Sequence, residues 1–125
     1  MNRLDAIIKF VVLFCATTVA SVPIFAKSPD CSGVDGWATS MAFVHLKNAG
    51  LSENDKIDFT KTRTTLLASE KIGKDLYRQV HLVVFTEKAG STIQVITSNN
   101  ASSEECSMSG VDVYIVSRHL GGQQK

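Results

Sequence analysis

Apolar residues are distributed along the chain in three regimes. Positions 10–20 form an almost unbroken apolar block. Val34, Trp37, Ala38, Met41, Val44 and His45 then recur at three- and four-residue spacing, the period of one helix face. From residue 60 onward the alternation is every second residue, the period of a strand. The helix is expected over 33–49. Ser32 would cap its start, with Asp35 three residues on as a shortened capping box. Asn48, Ala49 and Gly50 are a stop signal, because Gly50 tolerates the left-handed conformation after the last turn. Leu51 then folds back on Leu46, as in a Schellman motif.

Four strands are expected after a polar loop at 52–58. They run over 60–69, 76–87, 91–98 and 111–118. The connections are a turn at 71–75, a short hairpin loop at Lys88, Ala89 and Gly90, and a hydroxyl-rich polar stretch at 97–109. Parity sorts the side chains. Val80, Leu82 and Val84 share one face of their strand, as do Ile93 and Val95, and Val111, Val113 and Ile115. These sets are expected to form one apolar face, covered by the helix side that carries Trp37 and Met41. The fold class is α+β, with one N-terminal helix packed on a four-stranded antiparallel meander. The opposite face would carry Tyr77, Gln79, His81, Val83 and Phe85, with Gln94, Ile96, Tyr114 and Val116. It is apolar enough to suggest an interaction surface, expected to include Tyr77, His81, Phe85, Ile96 and Tyr114.

The apolar block changes the picture of where this domain works. Arg3 and Lys9 precede it, Pro23 breaks it, and Ile24, Phe25 and Ala26 offer a peptidase site. Residues 1–26 therefore read as a signal peptide, with cleavage after Ala26 and Ala20 as second choice. An uncleaved anchor would need about 20 apolar residues, and Lys9, two threonines and Pro23 interrupt this stretch. Residues 27–125 are expected to be a single small domain, periplasmic or secreted. Of the three cysteines, Cys15 leaves with the leader. The remaining two, Cys31 and Cys106, are expected to pair as a disulfide in an oxidising compartment.

Charge narrows the partners. The chain has 13 Lys and Arg and 12 Asp and Glu. The leader removes Arg3, Lys9 and Asp5, which leaves the two signs in balance. No basic excess points to nucleic acid or to anionic lipid, so neither nucleic acid nor stable membrane insertion after cleavage is expected. No motif calls for a cofactor, and no His and Cys spacing suits a metal. Asn100, Ala101 and Ser102 form a glycosylation sequon, relevant in a eukaryotic secretory pathway. A catalytic set is hard to assemble. His81 and His119, with Lys61, Lys74 or Lys88, have the residue types for acid–base cleavage of a phosphodiester. No nucleophile elbow is present, and both remaining cysteines are assigned to the bridge. The expected function is therefore an exported small binding protein, an inhibitor or immunity-type partner of another protein, or a homodimer. The alternative is a small secreted RNase-like hydrolase using His81 and His119.

Overall fold

Alternation along the chain builds the sheet that organises the molecule. The computed structural model describes residues 27–116. The expected leader, the end of the expected last strand and His119 lie outside the described residues. A helix, α1 (Trp37–Asn48), precedes four strands: β1 (Ile57–Gly73), β2 (Leu76–Glu87), β3 (Thr92–Ala101) and β4 (Asp112–Ile115). They form one antiparallel sheet in the order β1-β2-β3-β4, the expected meander. β2 has the bounds that its pattern predicts. β1 extends further in both directions than expected, and β3 begins one residue later and runs three residues further.

The helix end follows the sequence closely. Leu51 N donates to Leu46 O at 2.9 Å and Gly50 N to Lys47 O at 3.0 Å, with Gly50 at φ 71°. This is the Schellman pair of bonds that satisfies the last carbonyls. The helix start differs from the expectation. Ser32 does not cap it, because its amide and hydroxyl both donate to Asp30 Oδ1, at 3.1 and 2.6 Å. The chain instead makes a turn, Gly36 N to Gly33 O at 2.9 Å, and the helix starts at Trp37 with Gly36 as its uncapped N-cap. A Cβ on Gly36 would lie 2.9 Å from Gly33 O, so this turn requires a glycine.

The buried side of α1 is Ala38, Thr39, Ala42 and Leu46. This corrects the expected face: Val44 and His45 are exposed, and Trp37 and Met41 are only half-buried. Alanine at 38 and 42 lets the helix approach the sheet closely. Trp37 lies at its margin and donates its indole N–H to Ser109 O at 3.0 Å.

The sheet is also turned over relative to the expectation on β2. The core cluster joins Ala42 and Leu46 of the helix to Ile57, Val83, Phe85 and Val95, with Phe43, Ile93 and Val113 packed against it. Ile93, Val95 and Val113 face the core as expected. Val80, Leu82 and Val84 do not, since they alternate with the buried Val83 and Phe85. The register gives the reason. Glu87 N donates to Ser91 O at 2.8 Å around the three-residue loop 88–90 and Thr86 pairs with Thr92, so Phe85 faces Ile93 and Val83 faces Val95. Directly paired residues project to the same side, which puts Val83 and Phe85 inward.

A second closure holds the other end of the sheet. Cys31 and Cys106 are bonded, with Cα atoms 5.7 Å apart and a sequence separation of 75. The bridge ties the segment before α1 to the loop between β3 and β4. That loop is further fixed by Asp75, whose carboxylate accepts from the amide and the hydroxyl of Ser103 at 3.1 and 2.8 Å.

Two outcomes are expected. Closing a loop of this length restricts the unfolded chain by about 4–5 kcal/mol in the chain-entropy account. Replacing both cysteines by serine should therefore lower the thermal midpoint by about 15–30 °C, measured by calorimetry. Phe85→Ala should cost about 3–5 kcal/mol in urea unfolding, with Leu82→Ala costing markedly less. Equal costs would contradict the sheet orientation.

Candidate functional site

The expected interaction residues are divided by the sheet rather than gathered on one surface. Tyr77, His81 and Phe85 are buried on the inner face, which corrects their placement on an open face away from the helix. Ile96 and Tyr114 are paired with each other on the outer face. Ile96 is half-buried beside Leu82, its partner on β2, and Tyr114 is 61% exposed.

His81 is 0% exposed and neither ring nitrogen has a protein hydrogen-bond partner. Burial pushes its pKa below the usual imidazole value, and the carboxylate of Asp30 opposes that shift. The hydroxyl and amide of Ser32, and more weakly Lys27 and His81, hold Asp30 below its ordinary value. A sealed imidazole does not reach a substrate, and His119 lies outside the described residues. Of the lysines named with them, Lys61, Lys74 and Lys88 are all exposed. Lys61 instead pairs with Asp58 at 3.4 Å. Among the described residues, no group of three His, Cys, Asp or Glu side chains could hold a metal ion.

His45 is a residue whose setting the sequence did not reveal. It is exposed and lines a groove between α1 and β4. The helix packs across β2 and β3 and leaves β4 largely uncovered. The uncovered strip opens into two adjoining depressions. One, of about 340 Å³, has the aliphatic side chains of Leu46, Ala49, Leu51, Val113 and Ile115 in its lining. The other, of about 520 Å³, is more polar, with Met41, Arg78, Asn99, Asn100 and Ser109 in its lining. His45, Val111 and Asp112 line both.

β4 is thus accessible from both sides. Ile115 is 47% exposed toward the groove, while Tyr114 stands out on the other face. β4 is the last strand of the sheet order, so its far edge has no neighbouring strand among the described residues. Val116 N donates to Gln94 O at 3.0 Å. Successive residues of a strand turn their backbone groups to alternate sides, so Val113 and Ile115 present theirs to the free edge. The arrangement can do what exposed strand edges do: accept an extended segment by main-chain hydrogen bonds, with its side chains in an apolar groove. Comparison with protein-family models, with curated proteins and with solved structures finds no match to this chain.

Proposed function

We propose that this chain is an exported small binding protein, of the inhibitor or immunity type, whose partner-binding element is β4. The observation that supports it is the convergence on one short edge strand of an edge with no strand neighbour among the described residues, an exposed aromatic and a groove with aliphatic lining. The partner is a protein that offers an extended apolar segment, and a second copy of this chain is the homodimer form of the same reading. Export rests on the apolar leader with its small-residue cleavage site and agrees with a bonded Cys31–Cys106 pair, since such bonds persist in oxidising compartments. The hydrolase alternative needs His81 in contact with a substrate, and its burial weighs against that.

The decisive variant is Ile115→Pro. It removes an edge-facing N–H and an apolar groove residue but leaves the bonds from β4 to β3, a position where strands tolerate proline. Capture of a partner from envelope extract by the immobilised protein, with size-exclusion chromatography to detect a dimer, reads the effect. Ile115→Pro and Tyr114→Glu should each abolish capture or dimer formation while the thermal midpoint stays within a few degrees. Undiminished association in both variants would place the interface elsewhere.

A further inference from the structure

The open edge of β4 fits a second copy of itself. Val113 and Ile115 turn their backbone groups to that edge, whereas Tyr114 pairs with Ile96 and Val116 N donates to Gln94 O at 3.0 Å. On the groove side the strand shows Val113 and Ile115. On the outer side it shows Tyr114, 61% exposed. A segment docked here needs aliphatic side chains toward the groove, a residue that packs on Tyr114 from the outer side, and no like charge in the paired stretch. β4 meets each requirement itself.

Two-fold symmetry leaves few registers. In an antiparallel pair of identical strands, facing residues are equidistant from a common centre. Bonding between the edge-facing groups restricts that centre to Val113, Tyr114 or Ile115. A centre at Val113 sets Asp112 opposite the partner's Tyr114, and Ile115 opposite the partner's Val111, which precedes the strand. A centre at Ile115 sets Val113 opposite residue 117 of the other copy, outside the described residues. A centre at Tyr114 keeps the pairing within residues 112–116. Val113 then meets the partner's Ile115, and Ile115 the partner's Val113, so every edge-facing group of β4 is bonded. Asp112 falls opposite the partner's Val116, away from its own counterpart.

Resting on the reading of β4 as the binding element, we propose that its occupant is β4 of a second copy, paired antiparallel about a two-fold axis at Tyr114 so that one sheet runs through both copies. Directly paired residues project to the same side. The partner's Val113 and Ile115 therefore extend the aliphatic lining formed by Leu46, Ala49 and Leu51, and the two Tyr114 rings meet on the outer face. Assembly closes at two copies. Pairing uses the edge whose register is unbroken. It leaves β1 outermost on both sides, and shifts in register at three places keep β1 from recruiting another strand. Tyr114, Ile115, Val116 and Leu51 are between 40% and 61% exposed. They offer roughly 400 Å² per copy, about half of what a standard interface buries on each partner. The pair is therefore weak and forms as concentration rises.

The test is sedimentation equilibrium from micromolar to millimolar concentration, with cysteine cross-linking, on protein purified as the cell accumulates it. The wild type should pass from one chain to two and no further, and Ile115→Pro should stay a single chain throughout. Under mild oxidation at high concentration Tyr114→Cys should link to its counterpart. Facing residues of a non-hydrogen-bonded pair have Cα atoms about 4.5 Å apart, within the span of a disulfide. Val113→Cys should not link, because its counterpart lies two residues along the partner strand, beyond the limit of about 7 Å. Peptide mapping checks that Cys31 and Cys106 stay bonded to each other. The proposal is overturned if the wild type remains a single chain, if Ile115→Pro pairs like the wild type, or if Val113→Cys links as readily as Tyr114→Cys. A single-chain wild type that still captures an envelope protein, with capture lost in Ile115→Pro, rejects self-pairing and leaves β4 as the binding element. Should Ile115→Pro fail to fold, the two cysteine variants decide.

Discussion

A mismatch of length between the helix and the sheet governs this structure. α1 has 12 residues, or about 18 Å of helix. β2 also has 12 residues, but a strand of that number extends for about 40 Å. One short helix cannot cover a face that long. The half beneath it becomes an apolar core of Phe85, Val83 and Val95. The other half must be covered by chain without regular structure, which brings little apolar surface. The disulfide lies where that cover would otherwise depend on polar bonds alone.

The same constraint accounts for the polar residues inside. Irregular chain laid over a sheet carries backbone carbonyls with no ladder to join, and each buried one needs a donor. Gln79 supplies one to Pro29 O, and Asn99 supplies one to Cys106 O. Those amides stabilise the cover, but each leaves its own carbonyl oxygen unpartnered. The polar end of the interior is thus a compromise. It satisfies the covering backbone and accumulates orphaned groups between the strands, with the titratable His81 among them.

Much of this fold is legible in the sequence, including the cue that orients β2. The bounds of β2, the Schellman ending at Gly50, the meander and the Cys31–Cys106 bond follow from local pattern and cysteine count. Hydrophobic pattern alone does not orient β2, because both its faces are apolar: three aliphatics on one, and Val83 with two aromatics on the other. Lys88, Ala89 and Gly90 form a three-residue loop between the bonded Glu87 and Ser91. A loop of odd length pairs odd positions with odd, so Phe85 must share a face with Ile93 and Val95. Loop length, rather than hydrophobic count, decides the parity. The rotation of α1 was not accessible in this way. Ala38 and Ala42 are weak hydrophobic signals beside Trp37, Met41 and Val44, and what selects them is closeness of approach to the sheet. The exposure of His45 follows from that rotation.

The two edges of the sheet differ in a way that bears on the proposed binding element. β1 is the longer edge, but its pairing with β2 shifts at three places, between Asp58 and Arg63, between Leu66 and Ala68, and between Lys71 and Gly73. Bulges and charged side chains are the devices by which natural sheets keep an edge from recruiting another strand. Lys61, Arg63, Glu70 and Lys71 stand along this edge, all exposed. β4 lacks such protection: its register with β3 is unbroken from Asp112 to Ile115, and its only charged residue is Asp112. A sheet that blocks one edge and leaves the other regular, apolar and beside a groove has directed its residual pairing capacity to β4. That asymmetry, more than the apolarity of either face, supports the proposal that β4 is a binding element.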